Sequence, residues 1–520
     1  MGSSSQYYVV ELPLRIGDEE SRRLSMAFEF GRSIYNATLG QALGRLTHMR
    51  QSAEWKNAFL IKKVSDRNAE LKRIQKKYGL NEFGLGDMAA NHRKASGKTN
   101  LIGFNEAKFI GFTVWRALER YIYAKGGRPR FKTKRRGLHS MYSCSGNGSG
   151  IMWKPQLQSV VWKGYRFPAL IKHTDYFREA LGPEDSPRQV KICRIVRRMM
   201  NCRERWFVQL VMVGLPPVRH VFAPKSETIG LDIGPSKVAM VSPNFAGFTF
   251  LSPYGEIPWA RIRNLRRKMD RSLRAMNPEN YEPSGMIKKG ARVWKRSNHY
   301  EKLLRELADL YRRAAETRKR DHGALINSIL EQAGTVNLET ISYRSYQRNF
   351  GRSAQRQASG LFVQRLKRKA ESAALTVNEL DTRKLRMSQY DHRTQTYTRK
   401  PLQQRWHSLG GSDTLVSRDI YSALLAYCVK NGEHDPVSIE RCWQAVEHQL
   451  KSAGFVREIK LPKGPDRERF LSRLVRDPSP GFTSEAVQTK IFRVRSDVRP
   501  SRSFQTCFVG KAADISESPE

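Results

Sequence analysis

Residues 228–242 read TIGLDIGPSKVAMVS, an apolar run that holds a single acid, Asp232, between Gly230 and Gly234. Apolar, β-branched runs of this length bounded by glycine and proline predict a buried strand. A second apolar run, residues 333–342 (AGTVNLETIS), leads to Glu339. A third segment, residues 416–427 (VSRDIYSALLAY), places Asp419 at the start of a helical pattern.

Two acids on strands and a third at a helix start, in this order, are what an RNase H-like nuclease requires. Two magnesium ions a few ångströms apart can stabilise both the attacking and the leaving oxygen of a phosphodiester in an in-line displacement. Hard Mg²⁺ prefers a few carboxylate oxygens completed by water and phosphate. Asp232, Glu339 and Asp419 are therefore the candidate catalytic and magnesium-holding residues. On the residues alone another reading stays open, in which Asp232 caps a turn and the other two acids lie on solvated faces.

The charge supports a polyanionic partner. The chain of 520 residues carries 93 Lys plus Arg against 49 Asp plus Glu, a formal net charge of +44, spread along its length. Such a field favours nucleic acid. No apolar run approaches the 18 or so residues of a membrane span and no secretory leader is evident, so a soluble, intracellular protein without a membrane partner is expected. Six cysteines (144, 193, 202, 428, 442 and 507) form no CxxC pair, which argues for buried thiols over a disulfide framework or a thiolate zinc site.

Along the chain, residues 7–16 (YYVVELPLRI) predict a strand, with Pro13 marking an edge or bulge. Ser21 is a plausible N-cap for helical patterns that run to about residue 123, interrupted by turns near Gly84 and Gly97. Residues 126–137 (GGRPRFKTKRRG) form a basic, breaker-rich segment in which Arg128, Arg130, Lys132, Lys134, Arg135 and Arg136 flank Phe131, a pattern suited to phosphate contact. Residues 190–196 and 206–213 predict a hairpin turning near Asn201 and Arg203. Residues 259–276 (WARIRNLRRKMDRSLRAM) put Ile262, Leu265, Met269, Leu273 and Met276 on one helical face and Arg263, Arg267, Arg271 and Arg274 on another. Charge of almost one sign repels itself unless phosphates neutralise it. A long helix is expected over about residues 300–332, and beyond residue 430 the pattern weakens.

This succession of strand, basic helical lobe, PRFK loop (residues 129–132), hairpin, GLDIG, basic helix, NLE and late RD resembles TnpB and its descendants, the compact type V CRISPR effectors. Residues 351–372 (GRSAQRQASGLFVQRLKRKAES) add to the resemblance, which covers roughly residues 7–430. It implies a bilobed α+β multidomain fold: a wedge-type β-barrel domain (1–20 and 186–225), a helical recognition lobe (21–185) and an RNase H-like (RuvC) α/β nuclease domain (226–430). It further implies that residues 258–277 are the bridging helix, that residues 385–412 are a lid or target-strand-loading insert, and that residues 431–520 are an extension of unknown role.

The function implied is RNA-guided DNA cleavage by a two-metal mechanism, with guide RNA and target double-stranded DNA as partners, in the cytoplasm of a prokaryote and as a monomer. The alternatives are an RNA-guided DNA-binding protein that cuts weakly or not at all, and a guide-free transposase. One departure stands out. Where relatives carry a zinc ribbon, residues 387–411 (MSQYDHRTQTYTRKPLQQRWHSLGG) hold no Cys. His392 and His407, even with Asp391 or Asp413, make a poor structural zinc site, so no zinc is expected. Leu385, Tyr390, Tyr397, Leu402 and Trp406 are expected to hold this insert together instead.

Overall fold

The structure, a computed structural model, describes residues 6–459 apart from 135–136, 145–148, 184, 219–221, 225, 244, 291–292 and 402–403. Arg135, Arg136, Leu402, Cys507 and the stretch 460–520 thus lie outside the described residues. The fold is mixed α and β with several small sheets, divided into two units: Met1–Arg219 with Trp259–Leu310, and His220–Pro258 with Tyr311–Glu520. No helix among the described residues is long and apolar enough to cross a membrane.

In the first unit the strand Tyr7–Pro13 lies at the edge of a four-stranded antiparallel sheet, followed by Arg203–Val213, Val190–Met200 and Ser140–Cys144. Pro13 at an edge lacks only a hydrogen bond the sheet does not use. The two central strands are longer than expected and meet in a two-residue turn at Asn201 and Cys202, with φ of 51° and 60°. Positive φ at both positions gives the turn the twist a tight hairpin needs, and it leaves Cys202 exposed, contrary to the expectation of buried thiols.

The helix Asp18–Gln51 starts after Gly17, three residues before the expected cap Ser21. It buries Leu24, Phe28, Ile34, Leu39 and Leu46, and Phe28 meets Trp206 edge-on at 5.0 Å. Gly84 is not in a turn; it lies in the first turn of the helix Glu82–Ala95, whose cap Asn81 accepts from its amide. That helix and Phe104–Ile122 approach closely at Gly111, where a Cβ would stand 2.2 Å from the Leu85 carbonyl oxygen.

The expectation of a helical lobe over 21–185 needs correction in its later part. Residues 140–168 form four strands: Ser140–Cys144 in the main sheet, and Met152–Lys154, Ser159–Trp162 and Tyr165–Pro168 in a three-stranded sheet of their own. This second sheet is tied to the first where Leu14 pairs with Ala169, with Arg15 N–H donating to the Pro168 carbonyl at 2.8 Å.

In the second unit a five-stranded sheet runs in the order Phe245–Phe250, Lys237–Ser242, Thr228–Ile233, Thr335–Glu339, Thr376–Leu380. The first three strands are antiparallel neighbours, and the last two run parallel to Thr228–Ile233. Side chains alternate across a sheet, and this alternation sorts the two faces. Ile229, Leu231, Ile233, Val336 and Leu338 pack against Ile326, Leu330, Phe362 and Leu366 on one side. Gly230, Asp232, Asn337 and Glu339 therefore face the other side, where the helix Arg418–Cys428 lies.

Residues 431–459, where the sequence pattern weakens, form a helix and a strand. The helix Pro436–Ser452 buries Trp443 completely against Tyr421 and Leu424. The strand Val456–Glu458 completes a sheet with Thr414–Ser417 and Trp406–Ser408. The segment Trp259–Leu310, expected within a 226–430 domain, belongs instead to the first unit.

Candidate active site

Asp232 sits one residue before the end of its strand and Glu339 ends the neighbouring one. The two strands pair in parallel with Leu231 opposite Leu338, so the next step along the register sets Asp232 beside Glu339 on one face. Adjacent strands are separated by roughly 4.8 Å, which makes the two carboxylates neighbours at the carboxyl edge of the sheet. Asp419 comes from above, in the first turn of Arg418–Cys428, where the positive end of the helix favours a negative side chain.

Two residues hold that helix down. A Cβ on Gly230 would lie 2.1 Å from the Ala423 carbonyl oxygen and 2.3 Å from the Tyr427 nitrogen, so only glycine lets the helix backbone rest on the strand. Asn337, buried between the layers, donates to the Ala426 carbonyl at 3.0 Å and accepts from the Asn378 amide at 2.9 Å. Both lie within the quoted GLDIG and NLE stretches, but as positioning residues they carry no sequence signature of their own.

Two of the acids bear on the third. Burial, and then the negative charges of Asp419 and Glu339, push the Asp232 carboxyl well above the usual range, opposed by Arg418 and Arg405. Burial lifts Glu339 to about 7, with the Met387 amide pulling the other way. One Glu339 oxygen, Oε1, is buried with no hydrogen-bond partner. Asp419 has Arg418 at 3.4 Å and Arg405 at 3.6 Å. Neither arginine stood out in the sequence.

Tyr346 was missed as well. Its hydroxyl donates to the Ile233 carbonyl, next to Asp232, at 3.0 Å. Burial and the nearby charges of Asp232, Glu339 and Asp419 raise its phenol.

Cysteine-free residues 385–412 enclose a polar cluster. His392 is buried, with Nδ1 2.7 Å from the Tyr421 hydroxyl and Nε2 2.7 Å from Glu440 Oε2. His407 stacks on Tyr421 at 4.9 Å and lies 3.4 Å from Asp391. Burial lowers both imidazoles. Asp391 stays below its usual range despite burial, held by His407 and by the Gly410 and Arg393 amides. Leu385, Tyr390 and Trp406 are buried as expected, while Tyr397 is exposed on the short hairpin Tyr390–Asp391/Thr396–Tyr397.

The candidate nucleic-acid residues belong to the first unit. Arg263, Arg267 and Arg271 are exposed along Trp259–Met276 and have no ion-pair partner among the described residues, while Leu265 and Met269 pack on Leu303 and Ile262 is buried. Lys268, not singled out in the sequence, is exposed beside them. Two expectations shift here. Met276 is exposed instead of apolar-facing, and Arg274 is engaged by Asp270 at 2.8 Å and the Gly285 carbonyl at 2.9 Å. In the basic loop Arg128, Arg130 and Lys134 are exposed. The Lys132 backbone is clamped by Asn36 through two hydrogen bonds, and its ammonium lies 4.7 Å over the Tyr35 ring.

No protein-family model matches the chain, and no curated protein matches it in sequence. Among solved structures it is similar to a chain of a Cas12f1–sgRNA–target DNA complex (9% identity, TM-score 0.40), covering 81% of this chain and 98% of that one. It is also similar to a chain of a CRISPR-Cas12f ternary complex (12% identity, TM-score 0.27), covering 81% and 83%.

Proposed function

We propose that the chain is an RNA-guided DNA endonuclease of the TnpB and compact type V kind, with an RNase H-like nuclease centre formed by Asp232, Glu339 and Asp419. The observation that carries this reading is the shared face: two neighbouring strand ends and one helix start gather three carboxylates, close enough that the charges of Asp419 and Glu339 help to raise the buried Asp232 carboxyl. The sheet, three antiparallel strands extended by two parallel ones, is the arrangement this reading requires.

The donor set suits magnesium. It is all oxygen, and the partnerless Glu339 Oε1 is a buried acceptor awaiting a cation or a proton. Among the described residues no group of three His, Cys, Asp or Glu side chains is placed to hold a metal ion by itself, so water and phosphate oxygens would have to complete the shell of any ion bound there. Bound there, two such ions would stabilise the attacking and leaving oxygens of the phosphodiester. Arg405 and Arg418 offset the acid charge and offer guanidiniums to a phosphate. Tyr346, through Ile233, fixes the end of the strand that presents Asp232.

In this reading Trp259–Met276 tracks RNA phosphates with Arg263, Arg267 and Arg271, and Arg128, Arg130, Lys132 and Lys134 meet a second stretch of backbone. The two sheets of the first unit serve as the wedge domain and its helices as the recognition lobe. Expressing the chain with its flanking locus and sequencing the RNA that copurifies tests the guide directly. A single defined RNA that programs DNA binding is the expected result; a chain that binds its target DNA without RNA would overturn the proposal.

A further inference from the structure

In the second unit the helices Arg418–Cys428 and Pro436–Ser452 are joined by residues 429–435, which fold back sharply. The Val429 amide closes the first helix by donating to the Leu425 carbonyl at 3.1 Å. Asn431 and Gly432, with φ of 53° and 74°, then reverse the chain, and the Glu433 amide donates to the Lys430 carbonyl at 3.1 Å. Consecutive left-handed residues make a tight reversal, and asparagine and glycine adopt that conformation most readily. Asp435 starts the second helix by accepting from the Val437 amide at 3.2 Å.

The reversal brings the second turn of Pro436–Ser452 to the last turn of Arg418–Cys428. Ile439 and Trp443 are fully buried in one cluster with Leu424 and Leu425. Cys428 is buried in that cluster, and Cys442, half-buried, packs against it. The two thiols meet, with the Cys428 S–H donating to the Cys442 sulfur. No CxxC spacing marks this pair; the chain reversal alone assembles it. The donated hydrogen bond holds the Cys442 thiol down to about 7, with Lys430 assisting and burial and Asp435 opposing. The same bond, and then burial, push Cys428 up. An accessible sulfur that ionises easily, backed by a buried thiol, is the arrangement of a dithiol that an oxidant can close.

We propose that Cys428 and Cys442 form a reversible redox site, in which hydrogen peroxide joins them in a disulfide that ties the helix bearing Asp419 to Pro436–Ser452. The Cys442 thiolate attacks one peroxide oxygen, the O–O bond breaks and hydroxide leaves, giving a sulfenic acid. The Cys428 sulfur then attacks the sulfenic sulfur, the S–O bond breaks, and the departing hydroxide takes the Cys428 proton and leaves as water. The two thiols together give up two electrons and two protons, and the peroxide becomes two waters. From hydrogen-bond contact the sulfurs have only a short approach to an S–S bond of about 2 Å. In a reducing compartment the dithiol is the resting form. The inference is independent of the nuclease reading.

The test uses the full chain in EDTA, reduced and freed of reductant, with hydrogen peroxide as the probe. Trypsin separates the two cysteines onto residues 419–430 and 442–451, so the disulfide is read as these peptides joined. Native wild type should form the joined species about tenfold faster than its exposed Cys202 is oxidised, and dithiothreitol should reverse it. Amides of Pro436–Ser452 should exchange about tenfold or more slowly in the oxidised protein. Cys428→Ala should leave Cys442 at the sulfenic acid, trapped by dimedone, and Cys442→Ser should give neither product. No joined peptides from the native protein, joining no faster than Cys202 oxidation, unchanged exchange after oxidation, or an equally fast sulfenic acid on Cys428 in Cys442→Ser would each overturn the proposal.

Discussion

Replacing Glu339 by Gln should stabilise the metal-free protein at alkaline pH even as it removes a nuclease ligand. The Glu339 carboxyl titrates near 7 in the folded chain because burial disfavours its charge, against an ordinary 4.5. A folded value raised in this way contributes stability that is fully present below about pH 4.5 and lost as pH rises through about 7. That difference corresponds to roughly 3 kcal/mol at full ionisation, of which about 2–3 kcal/mol falls between pH 5 and pH 8. Gln, of similar shape and without charge, removes that loss. Hydrogen exchange of the Thr335–Glu339 strand in EDTA, corrected for intrinsic rates, measures it locally. Wild type should lose about 2–3 kcal/mol of opening free energy over this interval relative to the variant, and millimolar magnesium at the upper pH should restore it to the wild type alone. Parallel loss in both proteins, with no response to magnesium, would refute a buried, strained carboxylate at this position.

Other expectations follow from single contacts. Gly230→Ala places a methyl 2.1 Å from the Ala423 carbonyl oxygen, so the Asp419 helix must lift; a loss of about 1–3 kcal/mol in thermal denaturation is expected, and an unchanged melting temperature would remove this close approach from the account. Changing Arg263, Arg267 and Arg271 to Ala should weaken RNA binding and flatten the log-affinity against log-salt plot by about one to three units, whereas an unaltered slope would return these side chains to solvent. Protein purified without added metal should contain no stoichiometric zinc by elemental analysis, since both His392 nitrogens are already engaged by Tyr421 and Glu440; one zinc per chain, lost in His392→Ala/His407→Ala, would contradict this.

The parts of the site that the sequence discloses are those with a strong local pattern. TIGLDI and TVNLE alternate cleanly, so the acids fall on the face opposite Leu231 and Leu338, and RDIYSALLAYC is helical with Asp419 in its first turn. Strands of three or four residues such as Met152–Lys154 and Tyr165–Pro168 carry too few alternations to stand out among turns, which is why this stretch reads as part of a helical lobe. The helix Pro436–Ser452 is held by Trp443 in a tertiary cluster, and its many polar residues mask the apolar spacing. Tyr346, Arg405 and Gly230 act through neighbours distant in sequence, and long-range contact leaves no local period to read.

The central claim is that Asp232, Glu339 and Asp419 form a magnesium-dependent DNA-cutting centre. Its most direct test is cleavage of a guide-matched duplex by the RNA-loaded protein, wild type beside Asp232→Ala, with magnesium or EDTA. The account predicts cutting by the wild type in magnesium alone, and loss of at least about a thousandfold in Asp232→Ala with target binding kept within about threefold. Cutting by Asp232→Ala at the wild-type rate would contradict it.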